Sequence, residues 1–166
     1  MDIILASNSP RRKQILEEFG YPFKVKTEEV KEEDKGSPKK AALFNAMLKA
    51  KKVFDNLSAS EKIGAAVIGA DTVVTLNGKI IGKPKGKEDA KSTLKTLSGK
   101  KHYVLTGFCI IAGGRTYKGV EKTAVIFNNL SDELIEDYVI KKRPLDKAGA
   151  YGIQDGYPLV KRIKAY

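Results

Sequence analysis

Residues 3–20 read IILASNSPRRKQILEEFG, and the division of this stretch decides the fold. Ile3, Ile4 and Leu5 form a short apolar run of the kind a buried strand shows. Ala6 to Ser9 turn the chain. Pro10 suits the first position of a helix, because its missing N–H has no intrahelical partner to lose there. Ser9 is placed to cap that helix by accepting from a free backbone N–H. Ile15, Leu16 and Phe19 give the helix one apolar face, and Gly20 suits its end. A strand therefore runs directly into a capped helix N-terminus. Arg11 and Arg12 lie in the first helical turn, where the helix dipole disfavours cations. Two arginines beside two serine hydroxyls and free amides suit a bound anion. A capped surface helix with incidental basic residues accounts for the same letters.

Outward from this stretch, Phe23 to Lys26 alternates apolar and polar residues like a half-buried strand. Residues 27–35 form a charged loop that includes Glu32. Ser37-Pro38 opens a helix running to about Phe54. Ala42, Ala46, Ala50 and Val53 share one of its faces, small enough for close packing on a sheet. Asn56 to Lys62 reads as a polar loop. Ala65 to Ile68 is a second apolar run, leading into Gly69-Ala70-Asp71-Thr72-Val73-Val74. Asn77-Gly78 between TVVTL and KIIGK predicts a two-residue hairpin. Ala90, Leu94 and Leu97 mark an amphipathic helix over 88–98. Residues 103–112 and 116–127 read as strands joined at Gly113-Gly114. Ser131 caps a further helix with Leu134, Ile135, Tyr138 and Val139 on its apolar face, ended by Arg143-Pro144. A loop over 145–149 and a strand-like run over 158–163 close the chain. The β-α-β start followed by hairpins predicts an α/β protein with a mixed sheet.

A chain of 166 residues can bury a core as a single domain or as two small lobes. Its 42% apolar and 31% charged content is that of a globular protein rather than a disordered one. No run is long and apolar enough to span a membrane, and no secretory pattern opens the sequence, so a cytoplasmic protein is expected. Cys109, the one cysteine, excludes an intramolecular disulfide and suits a reducing compartment. The net charge of +11 favours polyanionic partners. Its lysines are dispersed, without an arginine-rich block or interleaved aromatics, which argues against a nucleic-acid module. Dispersed lysine equally suits solubility or thermal adaptation.

Several residues could carry chemistry. Asp71 follows an apolar strand and a glycine. A carboxylate on such a turn can bind a divalent metal or polarise a water, or merely stabilise the turn. Lys83, in Gly82-Lys83-Pro84, could act as a point charge on a phosphate or be one more surface lysine. The stretch 146–154, DKAGAYGIQ, has small residues that permit close backbone approach. Its Gln154 amide can donate to and accept from a base edge; a glycine-rich strand entry is the other reading. His102 is the only histidine, so neither a His/Cys zinc site nor a Ser-His-Asp triad has support. Cations at a helix start, further lysines and an acidic position suit a polyphosphate. Hydrolysis of a phosphoanhydride needs charge neutralisation and a positioned water more than a covalent nucleophile.

Five motifs, in order, carry a resemblance: LASNSPRR (5–12), GADTVV (69–74), GKP (82–84), LSGKKHYVLTG (97–107) and DKAGAYGIQ (146–154). From Ile4 to about Ile163 the sequence resembles the Maf nucleotide pyrophosphatases. The resemblance implies one Maf-like domain over 1–166, with a mixed, elongated sheet flanked by helices. Two lobes would enclose a central cleft, as in the inosine-triphosphate pyrophosphatases. It implies hydrolysis of nucleoside triphosphates between the α and β phosphates, with Mg²⁺ or Mn²⁺ as cofactor. Asp71 matches the catalytic acidic position. Ser9, Arg11, Arg12 and Lys83 match phosphate-binding positions. Glu32 and Lys49 fall where the family has a loop glutamate, expected with Asp71 at the metal, and a helix lysine. Arg11, Thr72 and Gln154 match the branch acting on dTTP and UTP. The resemblance also suggests a homodimer. Family members usually continue into an Asn-Val-x-Gly-Leu-Pro segment and a closing helix, whereas this sequence stops at Lys164-Ala165-Tyr166. The competing expectation is a basic nucleic-acid-binding or cell-division regulatory protein with a vestigial pocket.

Overall fold

The computed structural model describes residues 1–33 and 36–166. Asp34 and Lys35, the last two positions of the charged loop, lie outside the described residues. Strand β1 (Asp2–Leu5) leads through Pro10 into helix α1 (Pro10–Glu18) and strand β2 (Phe23–Val25). Helices α2 (Pro38–Asp55) and α3 (Ala59–Gly64) follow, then strands β3 (Ala65–Leu76) and β4 (Lys79–Ile81). Helix α4 (Lys87–Leu97), strands β5 (Lys101–Ala112) and β6 (Arg115–Phe127), helix α5 (Asp132–Lys142) and strand β7 (Val160–Ala165) complete the order. The sheet runs β2-β1-β3-β5-β6-β7, with β4 paired to β3. Strand β1 is parallel to β2 and β3, while β4 and β7 run antiparallel to β3 and β6. The mixed α/β sheet expected from the sequence is therefore present. Among the described residues, no helix is long and apolar enough to cross a membrane.

The chain divides into two compact units, Met1–Asp71 with Thr106–Val120, and Thr72–Leu105 with Glu121–Tyr166. In the first unit, Ile4, Ala46, Ala50, Val53, Val67 and Cys109 belong to one buried cluster. Cys109 is the small core residue expected, and burial pushes its thiol pKa up. The alanine face of α2 lies directly on glycine positions of the sheet. A Cβ on Gly69 would run into the Ala46 carbonyl oxygen, and one on Gly107 into that of Ala42. Ser37 caps α2 by accepting from the Lys40 N–H, and Pro38 takes the first helical position.

Two readings of the first unit are corrected. The segment 56–62 is not all loop, since α3 starts within it. Ser58 accepts from the Glu61 N–H, and the Glu61 carboxylate accepts from the Ser58 N–H. This reciprocal capping box satisfies two orphan donors and starts the helix without an apolar stripe. Helix α1 forms where expected, but buries none of its residues. Ile15 and Phe19 stay exposed, so its apolar side is not a packing face.

The second unit has its own core, including Val74, Leu94, Leu97, Val125, Phe127, Ile135 and Tyr138. The hairpin at Asn77-Gly78 is present, with φ 51° and 79° and Leu76 paired to Lys79. Both values are positive, as a type I′ turn requires. Ser131 caps α5 by accepting from the Leu134 N–H. Arg143 leaves the helix in the left-handed region before Pro144. His102 is fully buried, with its Nε2 2.8 Å from the Tyr151 hydroxyl and its ring edge-on to Phe127. Burial pushes the His102 pKa down to about 4.

Two measurements check this packing. Gly69→Ala should lower stability by about 1–3 kcal/mol in urea unfolding, because the added methyl meets helix backbone that cannot yield. Gly64→Ala, whose Cβ would enter open space, should leave the midpoint unchanged or slightly raised. The His102 prediction concerns pH. With an unfolded value near 6.5 and a folded value of about 4, the unfolded chain binds the extra proton between them. The stabilisation is full above about pH 6.5 and falls by about 3 kcal/mol as pH drops towards 4. A His102→Gln variant should lack that part of the pH dependence in parallel melts.

Candidate active site

Asp71 lies within β3 rather than at the end of a strand, because β3 continues unbroken from Ala65 to Leu76. Gly69 is therefore not a turn glycine, and the contact with α2 explains its lack of a side chain. The Asp71 carboxylate is buried. Two side chains of α2, one helical turn apart, reach it. Lys49 Nζ donates to Asp71 Oδ1 at 2.6 Å, and Asn45 Nδ2 donates to Asp71 Oδ2 at 3.3 Å. Residues four apart share a helix face, so the close seating of α2 aims both at one carboxylate. Lys49 Nζ also lies 2.7 Å from Glu32 Oε1. One ammonium thus bridges two carboxylates.

The first loop supplies a second cation. Arg12 Nη1 donates to Ser7 Oγ at 2.8 Å, and Ser7 Oγ also accepts from the Ser9 N–H at 3.3 Å. The Ser9 side chain forms no cap bond, which corrects the capping role expected of it. Ser7 is buried just after β1 and holds the loop between strand and helix in place of a side-chain cap. Burial pulls the Arg12 pKa down; Asp71 and Glu32 pull it back up, and Arg11 adds to the lowering. Arginine remains charged at neutral pH even so. Arg11 is exposed.

Of the residues singled out in the sequence, Asp71, Glu32, Lys49 and Arg12 share one electrostatic cluster in the first unit. Ser9 and Arg11 lie on the adjoining loop and helix start. Thr72, Lys83 and Gln154 belong to the second unit. Lys83 and Gln154 are exposed there, Gln154 on a short 3-10 turn over Ile153–Asp155. Sequence reading missed Ser7 and Asn45. Ser7 stood beside Ser9 in the same motif. Asn45 was visible as a lone polar residue on an alanine stripe.

The cluster offers hard oxygen donors and fixed positive charge, without a nucleophile paired to a histidine. Among the described residues, no group of three or more His, Cys, Asp or Glu side chains could hold a metal. Asp71 and Glu32 do direct oxygens at one cation. That donor set suits an ion completed by waters and substrate oxygens.

A model of the family described as Maf-like protein matches residues 2–165. The chain is 48% identical over 167 residues to the dTTP/UTP pyrophosphatase of Pyrococcus furiosus, spanning 98% of this chain and 84% of that one. It is 47% identical over 155 residues to the dTTP/UTP pyrophosphatase of Thermotoga maritima, spanning 93% and 74%. A Bacillus anthracis protein with the same description is 47% identical over 154 residues, spanning 92% and 78%. The structure of the Staphylococcus aureus Ham1 protein matches 78% of this chain and 73% of its own, with a TM-score of 0.50 and 17% identity. That likeness is one of fold.

Replacing Lys49 tests the cluster directly. Lys49→Met removes the counter-charge shared by a buried carboxylate and a half-exposed one. Stability should fall by about 1–3 kcal/mol, between the values for surface and buried pairs. Lys49→Arg should retain most of it, and urea melts of the three proteins decide.

Proposed function

The chain belongs to the Maf family, and on that footing we propose that it hydrolyses nucleoside triphosphates to the monophosphate and pyrophosphate. Its substrates are dTTP and UTP, together with modified pyrimidine analogues. The observation that carries this reading is the buried Asp71 carboxylate, ion-paired to Lys49 at 2.6 Å and within the field of Arg12. The descriptions of the relatives point to the same substrates.

The chemistry follows from charge. A polyphosphate is cleaved by cations around its oxygens and a water aimed at phosphorus. Asp71 accepts a proton from that water. The water oxygen forms its bond to the α phosphorus while the bond to the bridging oxygen breaks, and pyrophosphate leaves. Lys49 and Arg12 hold phosphate oxygens, joined by Ser9 and Arg11 of the same unit. The family motifs alone assign Lys83 to phosphate binding and Arg11, Thr72 and Gln154 to base selection, the Gln154 amide being able to pair with a pyrimidine edge. Asp71 and Glu32 would hold Mg²⁺ or Mn²⁺, which uses one or two carboxylates together with substrate phosphates. The bound ion would neutralise charge developing on the phosphate oxygens. The single thiol, buried in the first core, fits a cytoplasmic setting.

Pyrophosphate release over a panel of common and modified triphosphates tests the reading. Turnover should favour dTTP and UTP and stop when EDTA removes divalent ions. Asp71→Asn should fold normally and lose about 10²–10⁴-fold in kcat. Equal turnover of every base would defeat the assignment of Arg11, Thr72 and Gln154. Absence of turnover, with salt-sensitive binding to oligonucleotides, would favour a binding protein instead.

A further inference from the structure

We propose that Asn45 is a positioning residue for this reaction, clipping the segment that carries Glu32 to the Asp71 carboxylate. The proposal rests on the catalytic reading of Asp71 given above. The buried residues of α2 are otherwise Ala41, Ala42, Ala46, Ala50 and Val53. Asn45 is the one polar member of that set and is 1% exposed. An amide buried this deeply is costly unless its hydrogen bonds are made.

Those bonds all go to the site. Asn45 Oδ1 accepts from the Glu33 N–H at 2.9 Å, and Asn45 Nδ2 donates to the Glu33 carbonyl at 3.2 Å. Asn45 Nδ2 also donates to Asp71 Oδ2 at 3.3 Å. Only an NH₂ group can serve two acceptors, so the partners fix which end of the amide is which. The two bonds to Glu33 grip both polar groups of one residue, as a neighbouring strand would. They set the backbone one position after Glu32. The third bond holds the Asp71 oxygen that Lys49 does not hold.

Asn45 and Lys49 therefore form two rungs between the Glu32-Glu33 segment and Asp71, one through a neutral amide and one ionic. The Lys49 rung is made of charges that a polyphosphate and its counter-ion would draw on. The Asn45 rung is uncharged and buried, so it keeps its geometry while the charges around it are redistributed. It holds Asp71 in the plane needed to take a proton from water, and keeps the Glu32 segment in register with it.

Two variants separate the parts. Asn45→Leu conserves size and removes all three bonds. Asn45→Asp keeps the acceptor for the Glu33 N–H but replaces the NH₂ donor with a second carboxyl group facing Asp71. Each is assayed for kcat and KM in pyrophosphate release, for folded fraction by urea melts, and for hydrogen exchange at the Glu33 amide. In Asn45→Leu, kcat should fall about 10–100-fold, the scale of one lost hydrogen bond to a charged group. KM should stay within about threefold, because the phosphate-binding cations are untouched. Glu33 should lose its exchange protection. In Asn45→Asp, kcat should fall similarly while Glu33 stays protected, which a merely structural role would not produce. Should the leucine variant fail to fold, the aspartate variant still carries the kcat test. Full kcat in either folded variant overturns the proposal, as does a loss no greater than the unfolded fraction explains. If the unaltered protein cleaves no triphosphate, the catalytic reading fails. The Glu33 amide then decides alone, and unchanged protection in folded Asn45→Leu or lost protection in Asn45→Asp refutes the clip.

Discussion

The backbone-to-backbone approach of α2 to Gly69 and Gly107 is the constraint on which the rest of the first unit depends. Ala42 and Ala46 present only methyl groups, and the strands opposite present none. The helix can therefore sit closer than ordinary side chains allow. Ser37 and Pro38 fix where it begins, and therefore which of its residues face β3. Asn45 and Lys49 are one turn apart on that helix, so its height above the sheet sets their reach to Asp71. A helix held off by leucines would place both amide and ammonium too far away. Packing and chemistry are here the same distance.

Local rules made much of the fold legible. The Asn77-Gly78 turn announced itself by residues that accept positive φ, and α2, α4 and α5 by a periodicity their burial reproduces. The failures have physical causes. Helix α3 owes its start to a capping box in a polar segment, which a search for apolar stripes passes over. Gly69 was read as a turn because glycine has two uses, and sequence does not say whether the chain bends or something approaches it. That choice also moved Asp71 from the end of a strand to its interior.

The site was legible unevenly for the same reason. Asp71 and Arg12 stand in recognisable motifs, Glu32 and Lys49 were placed by the family resemblance outside them, and the first unit brings all four together. Ser7 and Asn45 are neutral side chains that act through hydrogen bonds, to Arg12 five positions away and to Asp71 twenty-six positions away. No local pattern encodes such a partner. Ser9, two residues after Ser7, was expected to make a cap bond that its side chain does not form. Exposed Ile15 and Phe19 show the converse, an apolar pattern without anything described as burying it.

The ammonium shared by Asp71 and Glu32 has a consequence for ion discrimination. Lys49 is an internal competitor, tethered at high effective concentration to the same oxygens a dissolved cation would seek. A sodium or potassium ion brings one charge, no more than the ammonium already there, and gains little by exchange. A doubly charged ion gains roughly twice the Coulomb attraction and releases the lysine to find another anion. On the proposed reading of Asp71 and Glu32 as the ion's ligands, the tethered amine sets a threshold that abundant monovalent salt does not cross. Removing its charge would let those ions in, as well as loosening the fold around them.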